Sequence, residues 1–193
     1  MSPRTTEQIE ILRVKRTAEI LDAAFHVFAE EGYHNSTVSQ IAKRANVSKG
    51  LMYNYFESKE EVLRSIMREL MSEIAELYDF ENKKKLTMED VLEWIDFSID
   101  IVGKDIKRWK LYLALSFQPD VTPILMEEAH SSIQMFSIKL LEYLKNKKID
   151  NPEAFLHHFT ATIDGIQLHY VLSPEYYPIE FSRQSLKDQI LNL

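Results

Sequence analysis

Apolar side chains recur at helical spacing along most of the chain, and strand-like alternation is absent. Thr17, Leu21, Ala24, Phe25 and Phe28 mark one face of a helix from about Glu7 to Glu31, which Gly32 stops. Thr37 and Gln40 form a box in which each side chain can satisfy a free backbone N–H, so a second helix starts there and carries Ile41, Ala42 and Ala45 inward. Asn46 suits a tight turn, and Ser48 caps a third helix of about two turns, with Leu51 and Phe56 as its anchors. Ser58 and Glu61 form a second box before a long helix bearing Val62, Leu63, Ile66, Leu70 and Ile74.

The remainder continues in the same period. Thr87 and Asp90 cap a helix that is apolar on all sides from Val91 to Val102, as expected of an element buried from several directions. A further helix ends at Pro119. Thr122 with Pro123 and Asn151 with Pro152 each open a long helix, reaching about Lys147 and Leu172, since proline is accommodated in a first turn. A last helix spans Ser182 to about Asn192. The expected fold is all-α, about nine helices, divided into residues 1–57 and 58–193.

Composition agrees and narrows the class. The 193 residues are 45% hydrophobic and 27% charged, with four glycines and six prolines. That balance fits a helix-rich globular chain rather than a disordered one. The opening segment is polar and charged and does not read as a secretory signal, so a cytoplasmic location is expected. No run approaches the roughly 18 apolar residues of a membrane span. The lack of cysteine excludes disulfides and thiolate metal sites. A net charge of −7 argues against a nucleic-acid partner until its distribution is examined. Residues 1–59 hold eight Lys or Arg against seven Asp or Glu, whereas residues 60–193 hold fifteen against twenty-three. The acid lies in the larger C-terminal part.

Thr37 to Phe56 has the spacing of a helix-turn-helix, whose second helix enters the major groove of DNA. Ser48, Lys49, Tyr53 and Asn54 would face outward from that helix, and such hydroxyls, lysines and helix N-termini are the groups that hold phosphates. Gly50 interrupts the helix at a cost of about 1 kcal/mol relative to alanine. Its missing Cβ lets the backbone approach a duplex closely. An ordinary helical hairpin is the competing reading, and the combination of caps, turn and exposed polar residues outweighs it.

The stretch from Arg16 to Leu63, "RTAEILDAAFHVFAEEGYHNSTVSQIAKRANVSKGLMYNYFESKEEVL", resembles the N-terminal domain of the TetR family of bacterial transcriptional regulators. The resemblance implies an all-α homodimer with a three-helix DNA-binding head and a larger domain that binds a small ligand and dimerises, without catalysis or cofactor. It places Thr37 and Ser48 at phosphate-holding helix starts, Lys49 and Gly50 in the groove, Tyr53 on a phosphate, Asn54 where histidine is frequent, and Lys59 at the start of helix 4. Asn46 stands where glycine is common. "TIDGIQLHY" resembles a segment of the family's eighth helix and points to Thr162, Ile166 and Leu168 as dimer contacts. The implied function is a repressor that binds a palindromic operator and is released by a small apolar or amphipathic effector.

The aromatic residues Trp94, Phe97, Trp109, Tyr112, Phe117, Phe155 and Phe159 are candidate walls of the effector pocket, although aromatic stripes are core more often than pocket. His130 and His158 are the polar candidates within it. His157, His158 and His169 lack a carboxylate at metal-site spacing, so no metal is expected. No nucleophile elbow or glycine-rich phosphate loop is present, and an enzyme is not expected. Two alternatives stay open: a DNA-binding regulator without small-molecule response, and a helical small-molecule-binding protein.

Overall fold

The structure, a computed structural model, describes residues 6–78 and 82–193. It is all-α. Among the described residues nine helices occur: α1 (Thr6–Glu31), α2 (Val38–Arg44), α3 (Lys49–Tyr53), α4 (Lys59–Leu77), α5 (Met88–Lys104), α6 (Ile106–Ser116), α7 (Thr122–Asn146), α8 (Pro152–Leu172) and α9 (Ile179–Leu191). The chain forms two compact units: residues 1–70 with 114–128, and residues 71–113 with 129–193. The chain crosses from one unit to the other within α4, α6 and α7.

In the first unit α1 packs on α2, and α2 on α3. Ile20, Leu21, Ala24, Phe25 and Phe28 of α1 are buried, as are Ile41 and Ala42 of α2 and Val62, Leu63 and Ile66 of α4. Gly32 takes φ +86°, a left-handed value that ends α1 at little steric cost. The expected Thr37–Gln40 box is present: Thr37 Oγ1 accepts from Gln40 N at 3.2 Å, and Gln40 Oε1 accepts from Thr37 N at 2.7 Å. The box at Ser58 forms by half. Ser58 Oγ accepts from Glu61 N, but the Glu61 carboxylate accepts from Glu57 N instead of returning to Ser58.

In the second unit α5 packs against α8 and α9. Its core joins Val91, Ile95 and Ile99 of α5, Leu140 and Leu144 of α7, Phe159, Ile163 and Ile166 of α8, and Leu186 and Ile190 of α9. The Thr87–Asp90 capping box starts α5 as expected. Asn151, at φ +53°, caps α8 by accepting from Ala154 N, with Pro152 in the first turn. Thr122 behaves differently from the cap expected of it: its hydroxyl donates to the carbonyls of Ser116 and Gln118, tying down the turn before α7. α9 starts at Ile179 rather than Ser182, with Pro178 at its N-cap, where a missing N–H costs no helical hydrogen bond. The sequence "DFENKKKL" between α4 and α5 reads as a solvated loop, and its first three residues lie outside the described residues.

Candidate functional site

The turn between α2 and α3 sets the geometry of the site. Asn46 adopts φ +53°, and Val47 N donates back to Ala42 O at 2.9 Å, so the chain reverses within three residues. Ser48 then caps α3, its Oγ accepting from Leu51 N at 3.0 Å. This single turn and a half is fixed to the unit by Met52 and Phe56, both buried, while Leu51 is only half-buried. Sequence reasoning missed Met52. The signal was available, since Met52 lies four residues before Phe56 and therefore on the same helical face.

With Met52 turned inward, the opposite face is left to solvent. Ser48, Lys49, Gly50, Tyr53 and Asn54 are all exposed, Tyr53 at 49%. Neither the Lys49 ammonium nor the Tyr53 hydroxyl has a side-chain partner among the described residues. A Cβ placed on Gly50 would meet nothing within 4 Å. The described residues therefore give no packing reason for glycine at this position. Thr37 is exposed too, but its hydroxyl is already engaged in the cap of α2.

Lys59 occupies a different setting. Its Nζ donates to the carbonyls of Tyr33 at 2.6 Å, Ser36 at 3.0 Å and His34 at 3.2 Å, and it lies 4.4 Å from the centre of the Tyr33 ring. Burial pushes its ammonium below the usual lysine range. The group holds the turn after α1 and meets the negative end of that helix, which has no basic residue in its last turn. Gln118, from the corner between α6 and α7, braces the same turn by accepting from Tyr33 N at 2.5 Å and donating to Phe28 O at 3.1 Å.

The residues expected to wall a ligand pocket do not form one group. Trp94, Phe155 and Phe159 share the α5–α7–α8 core, with Trp94 stacked on Phe136 at 4.2 Å between ring centres. Phe97 and Trp109 belong to a second cluster with Val102 and Val171, and Trp109 Nε1 donates to Ile101 O at 3.0 Å. Tyr112 is buried and receives the Arg108 guanidinium at its hydroxyl. Phe117 belongs to the first unit and is 72% exposed, and His130 and His158 are exposed. Gln167, a polar residue amid apolar neighbours in the sequence, donates to Ser98 O at 2.7 Å and so ties α8 to α5.

Of the expected dimer contacts, Ile166 is 6% exposed and sits in the core of the second unit. Thr162 is half-buried, its hydroxyl donating to His158 O, and Leu168 is half-buried. The outer stripe of α8 runs instead through Ala161, Gly165, Leu168 and Leu172. Among the described residues no group of three or more His, Asp or Glu is placed to hold a metal ion, and no helix is long and apolar enough to cross a membrane.

A model of the family described as bacterial regulatory proteins, tetR family, matches residues 20–66. The fatty acid metabolism regulator protein of Bacillus subtilis (strain 168) is 45% identical over 74 residues, which are 38% of this chain and 38% of that protein. The HTH-type transcriptional regulator BetI of Cronobacter sakazakii is 25% identical over 175 residues, covering 87% of this chain and 85% of that one. The crystal structure of the transcriptional regulator FadR from Bacillus subtilis in complex with stearoyl-CoA superposes with a TM-score of 0.69 at 25% identity, covering 90% of this chain and 96% of the other.

Proposed function

The chain belongs to the TetR family of bacterial transcriptional regulators, which are not enzymes, and from that premise we propose that it is a ligand-responsive repressor. It grips a palindromic operator as a homodimer and releases it when a small, largely apolar effector binds. Residues 1–57 read the DNA and residues 58–193 hold the effector and the partner copy. The observation that carries this reading is α3: a short helix capped by Ser48, on which neither the Lys49 ammonium nor the Tyr53 hydroxyl has a side-chain partner among the described residues, and whose glycine meets no neighbour. Ser48, Lys49, Tyr53 and Asn54 contact phosphates and base edges, and Gly50 lets the backbone approach.

A dimer is supported by the surfaces of α8 and α9. Leu172 is 58% exposed and Phe181 74%, and a Cβ on Gly165 would meet nothing within 4 Å. Small residues beside uncovered apolar ones suit close packing against the same surface of a second copy. Two heads on successive major grooves then stand about 34 Å apart, so the operator is an inverted repeat. The effector is amphipathic with a long apolar part, by analogy with the stearoyl-CoA held in the FadR structure. It binds more tightly to a form whose heads are misplaced, and DNA weakens effector binding by the same factor that effector weakens DNA binding. Such a regulator works in the cytoplasm, where the DNA is.

One observation favours a regulator without effector: Phe136 and Phe159 both pack on Trp94 in the core of the second unit. A thermal-shift series with fatty acyl-CoA thioesters separates the two readings, since a ligand of the folded state raises the melting temperature and a bystander does not. Selection of fragments from random DNA by the purified protein at low ionic strength tests the rest. An inverted repeat is expected, and a pool that emerges without enrichment overturns the DNA-binding reading.

A further inference from the structure

A cleft of about 310 Å³ opens in the second unit, between the segment leading into α5 and the C-terminal half of α7. Lys85, Lys139 and Lys147 line it, together with Glu142, Tyr143 and Asn146. In a chain of net charge −7, the described lining of the cleft carries three ammonium groups and one carboxylate, and of the three Lys139 is already engaged. The lysines that alternate with them are engaged elsewhere. Lys83 is paired with Asp90 and Glu93, and Lys145 with Glu153 at 3.0 Å. Lys85 and Lys147 have no carboxylate partner among the described residues, and Lys139 donates to the Lys83 carbonyl at 2.9 Å.

Tyr143 gives the second, independent observation. It is 6% exposed and forms part of the cleft wall, and its hydroxyl, shielded from solvent, has no hydrogen-bond partner among the described residues. A phenylalanine would bury the same ring without stranding a polar atom. An O–H held without an acceptor beside a cationic cleft is satisfied when a ligand brings the acceptor oxygen. The Lys147 ammonium lies 5.8 Å from the Tyr143 ring centre, on an exposed side chain.

We propose that this cleft binds a phosphate-bearing small anion, with Lys85 and Lys147 around the phosphoryl oxygens and the Tyr143 hydroxyl and Asn146 amide as further donors. Compact ammonium charges without an arginine fork suit phosphate better than the paired oxygens of a carboxylate. Glu142 would repel an anion at its edge, and it accepts a hydrogen bond from a hydroxyl-bearing organic part. The site stands apart from the effector reading, because it requires no apolar pocket.

Titration calorimetry of the full chain at low salt tests it with three probes: inorganic pyrophosphate, ADP and malonate. Saturable binding of pyrophosphate or ADP is expected. ADP tighter than pyrophosphate identifies an organic phosphate as the source, and equal binding identifies the free anion. Replacing Lys85→Gln together with Lys147→Gln weakens binding by about tenfold, or about 1.4 kcal/mol, while Lys84→Gln with Lys110→Gln leaves it unchanged. Tyr143→Phe weakens it several-fold without lowering the melting temperature. The proposal is overturned by failure of both phosphates to saturate below about 10 mM, by equal binding of malonate, by equal effects of the two lysine pairs, or by unchanged affinity in Tyr143→Phe. Operator binding measured on the same variants stays at the unmutated level, so failure here is distinguishable from failure of the DNA reading.

Discussion

Lys49 on α3 and Lys59 at the head of α4 read alike in the sequence, both in a helix-turn-helix and both assigned to DNA, yet their surroundings are opposite. Lys49 is exposed and has no ion-pair partner among the described residues, whereas Lys59 directs its ammonium at three carbonyls of the turn after α1 and sits over the Tyr33 ring. Those carbonyls follow a helix end whose own polar groups lack intrahelical partners. Leaving them bare in a half-buried turn would cost stability, so a donor is needed there whether or not DNA is present. A motif therefore identifies the groups that can reach a duplex, and the interior decides which of them are available to do so.

The most direct way to break this comparison is to remove the available donors. Lys49→Ala combined with Tyr53→Ala should weaken operator binding by about a hundredfold, roughly 2.8 kcal/mol. The dependence of the logarithm of affinity on the logarithm of salt should become shallower by about one for each phosphate that the variant no longer neutralises. Thermal melting should be unaffected, because neither side chain supports the protomer. A fall of several degrees would show that α3 is structural after all.

Lys59→Met asks the reverse question. If the turn is its role, the variant loses charge-assisted bonds to the Tyr33, His34 and Ser36 carbonyls, about 2 kcal/mol, and melts about 4–8 °C lower. Its salt dependence should match that of the unmutated protein once binding is measured well below the melting range. A slope shallower by about one with an unchanged melting temperature would return Lys59 to the phosphate backbone.

Legibility of the sequence follows the same division. The Thr37 and Thr87 boxes, the left-handed Asn46, the Ser48 cap and the Gly32 stop were readable because each depends on neighbours within four residues. Met52 was missed and the burial of Ile166 was not foreseen for a different reason: helical periodicity shows that a face is apolar without showing what covers it, and Ile166 joins the core of the second unit. The part played by Lys59 and the Gln118 bonds joins residues 23 to 90 positions apart, and no local pattern announces such pairs. The cationic cleft at Tyr143 was hidden for the same reason, since Lys83, Lys84 and Lys85 have the composition of an ordinary solvated loop.

Gln118→Ala sharpens the structural side of the comparison. It removes the acceptor for Tyr33 N–H and the donor to the Phe28 carbonyl, both partly buried, at a cost of about 1.5 kcal/mol. Melting should fall by about 3–6 °C, with operator affinity, measured by fluorescence anisotropy, changing less than about threefold. A larger loss of affinity would mean that the corner between α6 and α7 positions α3 as well as bracing the turn.

Gly50→Ala has the smallest expected effect and separates the two sides by sign. Glycine inside a helix costs about 0.8–1 kcal/mol relative to alanine, and at Gly50 a methyl group would enter open space with no positive φ to oppose it. The variant should therefore melt about 2–3 °C higher. If the bare backbone exists to meet a duplex, the same methyl group must collide with it, and operator affinity should fall about fivefold, close to 1 kcal/mol. Stability and binding then move in opposite directions in a single substitution. A variant that gains stability and binds DNA as well as before would leave Gly50 without any function that chemistry can name, and would remove the reason to place α3 rather than a neighbouring surface against the groove.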